Sequence, residues 1–300
     1  MSEPEIAIGI DVGGTNIKAI VVDSAGRELA RQGASTPEDA DRLLVAVGGM
    51  ARQLGVERAR WFGLCSPGLA ALDDRSIAWM RGRMEAVEGL DWTVALRCPL
   101  PVRVLNDAHA ATLGEAWLGA ARNRRHVVLL TLGTGIGGGI LVDGRLLQGA
   151  IGRAGHLGHM SLDPYGPPDI CRAPGSLEDA VADWSVERRT GGRFTSTAEL
   201  VSAVEAGDVQ AASAWGRVVR SLAAGIASLV NILDPEIVVV GGGIARAGDT
   251  LFEPLRREMI DVEWRPLGEA VPIVPAELGD FAGAIGAARF AMLAAEGAAP

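Results

Sequence analysis

Ile6-Ala7-Ile8-Gly9-Ile10-Asp11-Val12-Gly13-Gly14-Thr15-Asn16-Ile17-Lys18 runs from an apolar strand into a glycine turn, and Ala19-Ile20-Val21-Val22-Asp23 continues it as a second strand. The pattern returns at Val127-Val128-Leu129-Leu130-Thr131-Leu132-Gly133-Thr134-Gly135-Ile136-Gly137-Gly138-Gly139, followed by Ile140-Leu141-Val142-Asp143-Gly144. Gly13 to Asp23 and Gly133 to Asp143 are both ten residues apart. Two strand–turn–strand units predict two hairpins whose backbone N–H groups can grip phosphate. Each turn alone also reads as a plain β-turn, since tight turns use glycine. The matched pair favours phosphate: Thr15 and Thr134 add hydroxyls, Lys18 adds a charge, and Asp11 can reach Mg²⁺ on phosphate oxygens directly or through water.

Gly133-Thr134-Gly135-Ile136-Gly137-Gly138 also satisfies the dinucleotide fingerprint G-x-G-x-x-G. That fingerprint needs a helix straight after the turn, and here a strand follows, so a Rossmann site is rejected. A third glycine run, Gly241-Gly242-Gly243, sits between the buried strand Ile237–Val240 and a helix. It reads either as a close strand–helix crossing or as a surface bare of side chains for a base or ribose.

The surrounding chain of 300 residues suits two domains or one large one. A net charge of −9 argues against nucleic acid or an anionic membrane as partner. Cys65, Cys98 and Cys171 are too few and scattered for a disulfide framework, which suits reduced thiols in the cytoplasm. The polar start Met1-Ser2-Glu3-Pro4-Glu5 does not read as a signal peptide, and no stretch is expected to be apolar for the length of a membrane span.

The first meander is expected at Ile6–Ile10, Ile17–Val22 and Glu28–Arg31, then a helix from Pro37 to Leu54 capped by Ser35 or Thr36. A strand at Trp61–Leu64 enters Cys65-Ser66-Pro67-Gly68; residues 70–100 are irregular, with Asp91 or Thr93 able to cap a short helix. Pro101–Leu105 is a strand, and Asn106-Asp107 begins a helix through Leu118. Asp107 there reads as an N-cap or as a general base taking a proton from a hydroxyl during phosphoryl transfer, with Asn106 orienting that hydroxyl. Residues 151–176 form a Gly/Pro loop, and helices follow at 177–188, 197–206, 209–232, 249–259 and 282–295, with a strand at Ile273–Pro275. Strands, helix and strands again make the fold class α/β.

Together these residues resemble the ROK family of sugar kinases, within the actin/hexokinase/Hsp70-like superfamily. The likeness covers nearly the whole chain and is carried by Asp11–Lys18, Ser66-Pro67-Gly68, Asn106-Asp107-Ala108, Gly114-Glu115, Gly133–Gly139, Gly158-His159-Met160, Gly175-Ser176-Leu177-Glu178 and Val239–Ile244. It implies two actin-like, ribonuclease-H-like α/β domains with an interdomain cleft, ATP and Mg²⁺ in the cleft, and a sugar beneath the γ-phosphate. The expected partition is 1–117 with 282–300 as a smaller domain, and 118–281 as a larger one. By the same likeness Asp107 is the catalytic base. Asp11, Gly13, Gly14, Thr15, Lys18, Gly133, Thr134, Gly135, Gly242 and Gly243 serve the nucleotide and its metal. Gly68, Asn106, Asp107, His156, His159 and Glu178 serve the sugar. A homodimer is implied, and the apolar helix Trp215–Leu233 reads as its interface or as core.

Two departures from the family pattern stand out. Gly-Glu-x-Gly-His becomes Gly155-His156-Leu157-Gly158-His159, so a carboxylate facing sugar hydroxyls is replaced by imidazole. The zinc pattern Cys-x-Cys-Gly-x-x-Gly-Cys-Leu-Glu falls on Asp169-Ile170-Cys171-Arg172-Ala173-Pro174-Gly175-Ser176-Leu177-Glu178. Two thiolates have become Asp169 and Ser176, so no structural zinc is expected and Pro164, Pro167, Pro168 and Pro174 stiffen the loop instead. No asparagine lies in residues 80–92 to reach the sugar; Arg81, Arg83 or Glu85 takes that role, or the segment is a solvated connector. The leading expectation is an ATP-dependent kinase acting on a hydroxyl of a hexose or a close analogue such as an amino sugar or cyclitol. Its rivals are a non-catalytic sugar sensor on the same fold and a kinase using polyphosphate.

Overall fold

The structure, a computed structural model, describes residues 5–81 and 84–297. Arg83 lies outside the described residues. Contacts divide the chain into two units: 1–125 with 139–155 and 277–300, and 126–138 with 156–276. The segment 139–155, assigned from sequence to the C-terminal domain, groups with the N-terminal unit.

In the first unit, β1 (Ile6–Val12), β2 (Asn16–Asp23) and β3 (Glu28–Ser35) form the antiparallel meander, followed by α1 (Ala40–Gln53). Next come β4 (Trp61–Ser66), the short pair β5 (Leu69–Ala70) and β6 (Ile77–Trp79), α2 (Trp92–Ala95), β7 (Val102–Asn106) and α3 (Asp107–Leu118). The sheet order is β3-β2-β1-β4-β7, with β4 parallel to both β1 and β7. The parallel strands are wrapped on both faces, so β4 is buried at every position.

The chain then enters the second unit with β8 (Val127–Leu132) and β9 (Ile136–Val142), which passes back into the first and pairs with β10 (Arg145–Leu146). After the long loop come α4 (Leu177–Val181), α5 (Val186–Arg189), α6 (Thr197–Glu205), α7 (Val209–Leu233), β11 (Ile237–Gly241), α8 (Asp249–Val262) and β12 (Ile273–Pro275). Strand β11 lies parallel to β8 and β12, in the order β10-β9-β8-β11-β12. Both sheets therefore follow one plan: three meander strands, then two parallel ones.

Helix α9 (Ala282–Ala295) closes the first unit against its sheet. It is built from alanine and glycine and buried nearly all round. A Cβ at Gly9 would overlap the carbonyl of Ala284, and one at Gly63 the carbonyl of Ala287, so the helix backbone lies directly on β1 and β4. Backbone cannot yield as a side chain can. Gly63→Ala is expected to destabilise the protein by about 3 kcal/mol in urea unfolding; a loss below about 1 kcal/mol would contradict this seating.

Some sequence expectations need correction. Helix α1 is capped by Asp39, which accepts from Arg42 N; of the expected caps, Ser35 lies in β3 opposite Asn16 and Thr36 is bonded to the first glycine turn. The helix expected over 177–188 is broken, because the N–H groups of Asp183 and Trp184 donate to the carbonyls of Gly133 and Thr134. Asp91 caps α2 through Thr93 N and Val94 N. Helix α7 is long and apolar enough to cross a membrane by length and composition alone, contrary to expectation. Its Trp215, Val218, Leu222, Ile226 and Leu229 form a buried stripe at helical spacing, so most of its apolar character serves packing.

Candidate active site

In the first unit, register places Asp11 opposite Lys18 on β2 and Cys65 on β4. Burial and then the charge of Asp107 push the Asp11 carboxyl up to about 7, against the pull of Lys18 and a hydrogen bond from Cys65. Burial and the two carboxylates push the Cys65 thiol well above its ordinary value, so it stays a neutral donor. Lys18 Nζ stands 4.0 Å from Asp280 Oδ1. A carboxylate whose charge is disfavoured beside a second one suits a site completed by a cation.

Asp107 opens α3 but does not cap it. Asn106 Oδ1 accepts from Ala108 N and His109 N at 3.0 and 3.1 Å, and that is the cap. Asp107 Oδ1 accepts from its neighbour Ala108 N at 2.8 Å, and burial raises its pKa. Of the two readings open in the sequence, the cap belongs to Asn106. Asn106 Nδ2 also donates to Gly68 O at 2.9 Å, so one amide hydrogen at most remains for a ligand. Gly68 has φ of 100° and packs against Trp79 O and Ile77, a place only glycine fills without strain. Ser66, in register with Asn106, keeps a fully buried Oγ that has no partner among the described residues; from the sequence it carried the family likeness and no role in the site. Glu115 is a buried strut, accepting from Ala120 N, Glu277 N and Leu278 N.

Both glycine turns are held by their carbonyls. Thr36 Oγ1 donates to Gly13 O at 2.6 Å and Thr36 N to Thr15 O at 2.8 Å. In the second unit, Gly133 O and Thr134 O accept from Asp183 N and Trp184 N at 3.0 and 3.3 Å. Because a trans peptide sets its N–H opposite its C=O, the N–H groups of Gly14 and Asn16 point away from Thr36. Those of Thr134 and Gly135 likewise point away from the 183–184 segment. Each turn thus holds these amides on the edge opposite its anchor. Thr36→Val removes about 1 kcal/mol of that anchorage and is expected to raise the nucleotide KM about fivefold; an unchanged KM would separate the anchor from the turn.

In the second unit, a cavity of about 520 Å³ opens beside Thr134, lined also by Asp183, Thr197, Glu205, Gly243 and Arg246. Thr197 Oγ1 is buried there without a partner among the described residues, while Thr197 N donates to Asp183 Oδ1 at 2.6 Å. The glycine run divides in two. A Cβ at Gly242 would strike the backbone of Leu132 at the end of β8, so its close approach is to a strand and not to a helix, whereas Gly243 faces open space in the cavity.

The remaining predicted sugar residues also lie in this unit. Glu178 Oε2 accepts from Ile136 N at 2.8 Å, which sets a buried carboxylate against the second glycine turn. Burial, then His159, lower the pKa of His156, so its imidazole is neutral at neutral pH. His159 Nδ1 lies 2.8 Å from Asp169 Oδ2, and its Nε2 lies 3.4 Å from Cys171 Sγ.

The model of the ROK family matches residues 7–294. The glucokinase of Thermotoga maritima is 34% identical over 94% of this chain and 95% of its own. The crystal structure of a ROK hexokinase from Thermus thermophilus superposes with a TM-score of 0.83 at 35% identity, over 97% of this chain and 99% of that one. A ROK glucokinase from Streptomyces griseus, solved with glucose and AMPPNP, gives 0.79 at 30% identity over 96% and 99%. The two-domain actin-like fold is common to these structures and this one. The chain belongs to the ROK family.

Proposed function

We propose that this protein is an ATP-dependent sugar kinase in which Asp107 is the general base. The observation that carries the reading is the division of labour at the start of α3: Asn106 caps the helix, leaving the Asp107 carboxylate in the same unit as Asp11, Lys18 and the first glycine turn. Asp107 takes the proton of a sugar hydroxyl as that oxygen bonds to the γ-phosphorus, and the bond from phosphorus to the ADP oxygen breaks. Phosphoryl transfer depends chiefly on alignment and neutralised charge, so the base needs position more than strength. The outward amides of Gly14, Thr134 and Gly135 hold phosphate oxygens, and Lys18 adds positive charge. Asp11 would meet Mg²⁺ carried by the nucleotide, which would supply further charge neutralisation on those oxygens. The cavity beside Thr134 and Gly243 takes the nucleoside.

On the sugar side, Gly68, the second Nδ2 hydrogen of Asn106, His156, His159 and Glu178 are the proposed contacts. With neutral His156 where the family pattern has glutamate, the substrate is a hexose or a hexose-like analogue whose hydroxyl meets an imidazole there. The enzyme is proposed to be a cytoplasmic homodimer. Coupled ADP release across hexoses, amino sugars and cyclitols tests the reading, and sugar-dependent turnover on at least one is expected. Binding of a sugar with no ADP release would favour the sensor.

A further inference from the structure

We infer that the Asp169 carboxylate, and not a metal ion, organises the loop carrying His159, and that Asp169 is the positioning residue for the His159 ring. The second half rests on the sugar-kinase reading for what the ring touches. The Asp169 side chain is wholly enclosed, at 0% exposure. Both its oxygens are used. Oδ2 lies 2.8 Å from His159 Nδ1, and Oδ1 accepts from Cys171 N at 2.8 Å and Ala173 N at 2.9 Å. The chain between Asp169 and Ala173 is thereby wound around one carboxylate, with Arg172 in the left-handed region at φ 67°.

These residues do not fit a structural zinc. Such sites are closed, four-coordinate and dominated by thiolate and imidazole. Here the carboxylate faces N–H donors, Ser176 Oγ accepts from Asp179 N at 3.1 Å as the cap of α4, and Cys171 is the single thiol of the loop. Among the described residues no group of three or more His, Cys, Asp or Glu side chains is placed to hold a metal ion. The carboxylate gathers the loop as a bound cation would, with the signs reversed: one buried anion collects three N–H donors and the Ser176 hydroxyl.

The consequence for His159 is chemical. An ionised carboxylate only accepts, so Nδ1 carries a proton, and in the singly protonated ring this leaves Nε2 as the acceptor. Cys171 Sγ lies near that nitrogen. A sugar hydroxyl that reaches His159 takes the place of the Cys171 thiol at that acceptor, on a ring oriented from behind by Asp169.

Three measurements on the purified full-length protein decide this. Elemental analysis is expected to find far less than one zinc per chain, and one equivalent overturns the inference. Histidine ¹⁵N NMR is expected to show His159 protonated at Nδ1 in the parent and redistributed in Asp169→Asn; an Nε2-protonated ring in the parent overturns it. Asp169→Asn is expected to raise the sugar KM about tenfold with kcat and nucleotide KM within twofold, and to add less than twofold in a His159→Ala background. An equal penalty in both backgrounds shows that Asp169 does not act through the ring. Should Asp169→Asn not fold, Asp169→Glu, which keeps the charge, is expected to retain most of the sugar affinity, and loss of it overturns the inference. Absence of turnover on every sugar would remove the kinase reading, and the zinc and NMR results would still decide what holds the loop.

Discussion

Asp107→Asn is expected to lower kcat by about three orders of magnitude while leaving the melting temperature within about 2 °C. The amide keeps the shape of the carboxylate and cannot take the proton of the attacking hydroxyl. Folding is spared because the α3 cap is Asn106, and the Asp107 Oδ1 bond from Ala108 N can be kept by the amide oxygen. Burial raises the Asp107 pKa, so activity of the parent falls on the acid side at a pH above the ordinary carboxylate range. The acid limb should vanish in the variant. Near-normal turnover in Asp107→Asn would remove the base assignment, and a collapse of stability would restore Asp107 as a structural cap.

Asp11→Asn is expected to separate stability from activity. Burial and the neighbouring Asp107 put the Asp11 pKa at about 7, above its unfolded value of 3.8. The native protein holds that proton over a range in which the unfolded chain has already lost it. Stability from this group is therefore full below pH 4 and is lost as pH rises through 7. Asparagine carries no charge, so the nucleotide-free variant should be more stable than the parent above pH 7. The gain is about 2 kcal/mol after allowance for the carboxylate's partial access to solvent, and it disappears near pH 4. The same change removes the carboxylate proposed to meet the metal–nucleotide, and kcat should fall about a hundredfold. Chemical unfolding at pH 4 and 8, with kinetics at pH 8, tests both halves. A variant less stable than the parent at pH 8, or one of normal activity, contradicts the account of Asp11.

The two hairpins were legible because glycine at a strand end followed by a second apolar strand is a local pattern, and it occurs twice. The order in which the later parallel strands join each meander was not read from sequence and comes from the fold. Local pattern does not reveal which of two neighbours caps a helix. Asn106 and Asp107 are both good caps, and the register of β7 with β4 decides between them. Long-range bonds were equally hidden. Nothing near Thr36 marks it as the anchor of Gly13, and the break in the helix after Val181 is caused by carbonyls about fifty residues earlier. The cavity beside Gly243 draws Thr197, Glu205 and Arg246 from separate segments with no shared motif; its signals in the sequence were the second glycine turn and the glycine run. The zinc-pattern loop was half legible. The loss of two thiolates was plain in the sequence, while the use of Asp169 as a hydrogen-bonding centre needed the fold.

The central claim is transfer of a phosphoryl group from ATP to a sugar hydroxyl. Mass spectrometry of the products formed from ATP, Mg²⁺ and the best-accepted sugar measures it directly. The predicted result is a sugar heavier by one phosphoryl group, formed in step with ADP and abolished by Asp107→Asn. ADP released without any phosphorylated sugar, or phosphorylated sugar formed undiminished by the Asp107 variant, would contradict the account.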